Sequence, residues 1–95
     1  MKVWIKILDL PELVTVFGDR TFSFSFSGQT LNDLLRTLLA QYGSALSRVL
    51  LEADGRFNQA VQILVKGKLC AQDLDKPIPL EEGDQVVFVA FLEGG

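Results

Sequence analysis

Gln85-Val86-Val87-Phe88-Val89-Ala90-Phe91 is the stretch that decides the fold. After one polar residue it is unbroken apolar chain, the pattern of a strand covered on both faces, so it belongs in the middle of a sheet. At the other end of the chain, Val3, Ile5 and Ile7 alternate with Lys2, Trp4 and Lys6. That two-residue period is a strand from about Lys2 to Leu8 with one dry and one wetter face. Trp4 lies on the wetter face, where its bland reading is packing under the stems of Lys2 and Lys6.

Between these ends the pattern changes several times. Pro11 suits the first position of a helical turn over Leu10 to Val16, because its missing N–H would be unpaired there anyway. Gly18-Asp19-Arg20 breaks that turn. Phe22, Phe24 and Phe26 then alternate with Ser23, Ser25 and Ser27, predicting a strand over Thr21 to Ser27 with the Phe face on the core.

Thr30-Leu31-Asn32-Asp33 is close to a capping box and opens a helix. Leu31, Leu34, Leu35, Leu38, Leu39 and Tyr42 follow at helical spacing and lay a stripe on the sheet, with Gly43 as the stop. Ser44 to Glu52 reads as a shorter helix ended by Asp54-Gly55. Val61, Ile63 and Val65 restore the strand period, Lys66-Gly67 marks a hairpin turn, and Lys68 to Ala71 is the return strand. Asp73 to Leu80 is a connecting loop, and Glu81-Glu82-Gly83-Asp84 a turn into the final run.

The first and last strands compete for the middle, and side by side they are parallel, with the long helix as crossover. This is an α+β chain with a mixed sheet and one main crossover helix, the β-grasp arrangement of ubiquitin-like proteins. Residues 1–91 form the domain, and residues 92–95 are expected as a flexible tail.

Composition narrows the function. The chain has 95 residues, 48% hydrophobic and 22% charged, enough for one core. Its net charge is −3 and its Lys and Arg residues are scattered, so no phosphate backbone is an expected partner. No stretch approaches the length of a membrane span, and the start does not resemble a signal peptide, so a cytoplasmic protein without membrane contact is expected. With no His and the single Cys70, the common zinc and Ser-His-Asp constellations cannot be assembled, and no metal site is expected. Cys70 could hold a persulfide, but it reads first as a small buried residue of a short strand.

The tail Leu92-Glu93-Gly94-Gly95 carries the candidate chemistry. Glycine has no Cβ, so Gly94-Gly95 can enter a narrow channel and present the Gly95 carboxylate as the reactive group. A carboxylate must gain a leaving group before acyl transfer, and the chain has no Walker-type loop of its own. Activation must come from a partner. Phe91 and Leu92 either finish the strand or form an apolar docking patch; Glu93 either meets basic residues of a partner channel or is a solvated charge.

The opening strand Val3 to Leu8, the helix start Thr30 to Leu35, the hairpin Ile63 to Gly67, the run Pro79-Leu80-Glu81-Glu82-Gly83-Asp84-Gln85-Val86 and the terminal Gly94-Gly95 together resemble the MoaD/ThiS sulfur-carrier family of ubiquitin-like proteins. The pattern is nearest to the small subunit of molybdopterin synthase. Two positions depart from it: Lys66-Gly67 replaces the usual Asn-Gly, and Val89 to Glu93 stands where molybdopterin-type members have a Pro-Pro pair. The segment from Gly43 to Phe57 is longer than in thiazole-pathway carriers.

The resemblance implies a carrier, not itself catalytic, whose Gly95 is adenylated by an E1-like enzyme using ATP and converted to a thiocarboxylate. Gly94, Glu93, Leu92 and Phe91 would bind the partners. The sulfur would pass to the large subunit of molybdopterin synthase or an equivalent acceptor enzyme, with no cofactor held by the carrier. Three other readings stay open: a modifier joined to lysines through Gly95, a thiamine-thiazole carrier, and a plain β-grasp interaction module whose terminal glycines are idle.

Overall fold

Seven alternating residues make β1 (Lys2–Leu8), whose buried positions are Val3, Ile5 and Ile7. The computed structural model describes residues 1–70 and 76–90. After β1 the chain turns at Asp9, held at φ 57°, and enters α1 (Pro11–Phe17) with Pro11 in its first turn. Gly18 ends α1 at φ 82°, its N–H donating to Val14 O, a left-handed position open to glycine at no steric cost. β2 (Thr21–Ser25) follows; it stops short of the expected Ser27, although Phe26 still exchanges backbone bonds with Met1.

α2 (Leu31–Tyr42) starts as its sequence requires. Thr30 Oγ1 accepts the Asp33 N–H (3.0 Å), and the Asp33 carboxylate accepts the Gln29 N–H (3.1 Å). The incoming Gln29 N–H and the Thr30 hydroxyl together hold the Asp33 carboxyl below its ordinary value. A second strap comes from the far end of the chain: Leu31 N donates to Ile78 O and Leu80 N to Gln29 O, both at 2.8 Å. Leu31, Leu34, Leu35 and Leu38 are buried, as the helical spacing predicts. Gly43 closes α2, and the chain continues directly into α3 (Ser44–Leu50), which buries Leu46 and Leu50.

β3 (Val61–Val65) and β4 (Lys68–Leu69) form the expected hairpin. Lys66 and Gly67 both take positive φ (54° and 79°), the turn whose twist matches that of paired strands. β5 (Gln85–Ala90) completes a five-stranded sheet of order β2-β1-β5-β3-β4. β1 and β5 are parallel neighbours, and every other pairing is antiparallel.

The three helices supply one side of a single core, in which Leu13, Leu34, Leu38, Leu46 and Leu50 meet Ile5, Ile63, Val86 and Phe88. Phe17 joins the layers, its ring 5.1 Å from Phe22, 5.0 Å from Tyr42 and 6.4 Å from Phe88.

One expectation fails. β5 is central but not covered on both faces: Val86 and Phe88 are buried, whereas Val87 and Val89 are only half-buried. All three helices pack on the same side, so the other face of β5 has no layer among the described residues.

Candidate functional site

The start of β5 is clamped before the strand begins. Glu81 N donates to Asp84 Oδ2 (2.8 Å), Gly83 N donates to Lys2 O (2.8 Å), and Lys2 N donates to the Glu82 carboxylate (3.1 Å). Lys66 in the hairpin turn bonds Glu81 and sits 3.8 Å from Asp84. The Lys66–Glu81 hydrogen bond raises the Lys66 pKa and lowers that of Glu81. The turn of residues 81–84 is thereby tied to both β1 and the β3–β4 hairpin, which sets the direction in which β5 leads out of the domain.

β5 then runs between β1 and β3 to Ala90, which lies opposite Val61. Phe91, Leu92, Glu93, Gly94 and Gly95, the sequence-predicted partner-binding and reactive residues, lie outside the described residues. So does Ala71 at the expected end of β4. What the structure describes is the platform from which the final residues continue.

That platform is apolar. The pairing registers put Lys6, Val87, Leu64 and Leu69 in one row across the uncovered face, and Leu8 and Val89 in the next. Trp4, Leu8 and Leu69 are 46%, 40% and 64% exposed, large values for side chains of this kind. Lys2 Nζ lies 5.9 Å from the Trp4 ring centre, so the Lys stem does approach Trp4, but it leaves nearly half of the residue in solvent. The row closes on β3 with Gln62, opposite Val89, which is buried and donates to Gln59 O (3.4 Å).

The apolar patch expected from sequence at Phe91 and Leu92 lies outside the described residues, and the band seen here is a different set of side chains. Trp4, Leu64, Leu69, Val87 and Val89 come from four strands, and only their register makes them neighbours. The signal available in the sequence was β5 itself, whose apolar residues at both parities exceed what one covered face uses.

Two clefts flank the sheet. One of about 460 Å³ lies past the end of β1, lined by Leu8, Asp9, Leu10, Pro11 and Val14, with Lys6 and Arg20 at its edge. The larger, about 560 Å³, is on the helical side between α2 and residues 50–61. Its floor is Leu35, Leu39, Leu50 and Phe57, and its two cations are engaged, Arg36 with Asp33 (3.3 Å) and Arg56 with Asp54 (2.7 Å). Cys70 is half-buried just past β4, its Sγ donating to Lys68 O (3.3 Å), rather than fully buried inside a strand as expected. Among the described residues no three His, Cys, Asp or Glu side chains gather as metal ligands, and no helix is long and apolar enough to cross a membrane.

Comparison with known proteins adds identity to this geometry. The model of the ThiS family matches residues 12–95, a span that includes α2, the whole of β5 and Gly94-Gly95. SAMP1 from Haloferax volcanii superposes with a TM-score of 0.73 at 23% identity, covering 100% of both chains. A chain of the BexX/CysO complex of Amycolatopsis orientalis superposes at 0.63, with 14% identity over 98% of this chain and 99% of that one. A putative molybdopterin converting factor, subunit 1, from Pyrococcus furiosus gives 0.66 and 17% identity over 97% and 99%. Urm1 from Trypanosoma brucei shares the fold as well, at 0.66 and 20% identity over 99% and 95%. No curated protein matches the chain by sequence.

Proposed function

The chain belongs to the ThiS family, and on that premise we propose that it is a sulfur carrier whose Gly95 carboxylate is activated by an E1-like adenylating enzyme and converted to a thiocarboxylate. The observation that carries this reading is the reach of the family match to residue 95, so that Gly94-Gly95 falls inside it. The uncovered apolar band beside the end of β5 supports it, since a tail that enters another enzyme's channel requires a surface on which that enzyme docks.

The chemistry follows from the carboxylate. One Gly95 oxygen attacks the α-phosphorus of ATP held by the partner, pyrophosphate leaves, and an acyl adenylate remains. A sulfur nucleophile at the oxidation level of sulfide then attacks the carbonyl carbon; the C–S bond forms and AMP departs with the C–O bond's electrons. The thiocarboxylate donates its sulfur to an electrophile in a second partner, and water returns Gly95 to the carboxylate. The carrier binds no cofactor; ATP belongs to the activating enzyme. In this cycle the absence of side chains at Gly94 and Gly95 lets the channel close around bare backbone. In this reading Phe91 and Leu92 offer the partner apolar side chains, and Glu93 meets basic residues at the channel mouth.

The acceptor is the large subunit of molybdopterin synthase or an equivalent enzyme of molybdopterin-type cofactor synthesis. Support comes from residues 43–57, which the fold uses for α3 and the turn after it, and from the likeness to the Pyrococcus furiosus protein. A second reading is favoured by the likeness to SAMP1, a chain also described as small archaeal modifier protein 1: conjugation of Gly95 to lysines.

Intact mass decides between them. With the activating enzyme of its own cells, ATP and sulfide, the protein is expected to gain the increment of one oxygen exchanged for sulfur at Gly95. Adducts joined through Gly95 to lysine, without that increment, replace the carrier reading by the modifier reading.

A further inference from the structure

β2 is an edge of the sheet, and its free side is defined by bonds to β1. Met1 and Phe26 exchange both backbone bonds (2.8 and 2.9 Å), and Ile7 N donates to Arg20 O (2.8 Å). With the register Val3 opposite Phe24 and Ile5 opposite Phe22, bonded pairs fall at Phe22 and Phe24. Thr21, Ser23 and Ser25 therefore point their N–H and C=O groups away from the sheet, and all three are exposed. Among the described residues no strand lies beyond them.

The two edges of the sheet differ. β4 is two residues long and carries Lys68 beside Lys66, the short, charged form that resists pairing. β2 has five residues with no charge and no proline. We propose that this protein self-associates through β2, the strand of one copy pairing antiparallel with β2 of a second copy about Ser23.

The occupant follows from the sequence of the edge. Centred on Ser23, antiparallel pairing sets Ser23 against itself, Thr21 against Ser25, and Phe22 against Phe24 of the second copy. The outward-pointing groups are those of Thr21, Ser23 and Ser25, so Ser23 with Ser23 and Thr21 with Ser25 are bonded pairs, Phe22 with Phe24 is the non-bonded pair between them, and the parity of the edge matches its own image. Continuing outward, Arg20 faces Phe26 and Asp19 faces Ser27, so no like charges are opposed. Phe22, half-buried at the rim of the core, gains Phe24 of the second copy beside it. The two-fold axis is perpendicular to the sheet, which places the helices of both copies on one side and both apolar bands on the other. The bands stay free, and the two β5 strands lead out at opposite ends.

Sedimentation equilibrium of the full chain from micromolar to millimolar concentration tests this, with amide exchange read at Ser23. A monomer–dimer equilibrium is expected, with Ser23 protection that grows with concentration. Ser23→Pro is expected to stay folded, because that N–H bonds nothing within the sheet, and to be monomeric throughout. Ser23→Lys, which opposes two like charges at the axis, is also expected to lose the dimer. Thr21→Glu combined with Ser25→Lys sets opposite charges face to face twice and is expected to tighten it several-fold, up to about tenfold. A wild-type monomer at millimolar concentration overturns the proposal. So does a dimer that survives Ser23→Pro but is lost on Leu69→Asp, which would move the contact to the apolar band, or an edge that pairs only with peptides of other proteins.

Discussion

Phe88 and Val87 are neighbours on β5, one bond apart in sequence and on opposite sides of one sheet. Phe88 is fully buried under the helices beside Phe17, whereas Val87 sits half-buried between Lys6 and Leu64, with no layer above it among the described residues. The covered face holds the fold together; the open face also carries large apolar residues, but among the described residues no layer packs over them. Hydrophobic character alone therefore does not tell a core residue from a recognition residue here. What separates them is whether the helices reach that side.

The largest effect is expected on the covered face. Phe88→Ala should lose about 3–5 kcal/mol of stability in denaturant unfolding, because a large buried ring leaves a cavity that the packed sheet cannot close. Val87→Ala should lose less than about 1 kcal/mol. Equal losses would break the distinction between the faces.

Next is the strap that seats α2 on the covered face. Gly28 has φ +140°, and a Cβ there would stand 2.5 Å from Asp33 Cβ. Gly28→Ala should cost about 1–3 kcal/mol, with α2 exchanging its first amides faster. A neutral result would mean that the Asp33 side chain can leave its post without loss.

On the open face, Leu69→Asp should leave the melting temperature unchanged while lowering kcat/KM for adenylation about tenfold or more. Unchanged kinetics would remove the band from docking. Truncating Gly94 and Gly95 should also spare the melting temperature but abolish adenylation, which separates docking from chemistry.

The smallest effect belongs to the exposed Lys66–Glu81 pair. Glu81 is depressed below its ordinary 4.5 by the Lys66 hydrogen bond, so its contribution is present above that pH and is lost as pH falls through the lowered value. Lys66 is raised above 10.5 by the same bond, so its contribution is present below that pH and is lost as pH rises through the raised value. The stability difference between wild type and Lys66→Met should therefore be small and level between these limits, shrinking at either extreme. A difference that grows in acid would contradict the assignment.

Much of this architecture was legible from residue types. Thr30 and Asp33 announced the start of α2, the leucine spacing announced its buried face, and Lys66-Gly67 announced the hairpin, because each depends on contacts within a few residues. The Gly94-Gly95 ending was likewise a local signal. The open face of β5 is not legible in this way for the opposite reason: how well a strand face is covered is settled by elements far away in the chain.

By itself the sequence determined the elements, their order, and the parallel adjacency of β1 and β5, since side-chain period and turn chemistry act over short range. Only the tertiary structure decided that all three helices gather on one side. An unbroken apolar run has no alternation to mark its dry face, so nothing local to Gln85–Ala90 distinguishes Val87 from Phe88. Strand register then placed Trp4, Leu8, Leu64, Leu69, Val87 and Val89 on one surface, a juxtaposition that exists only after residues from both ends of the chain have paired.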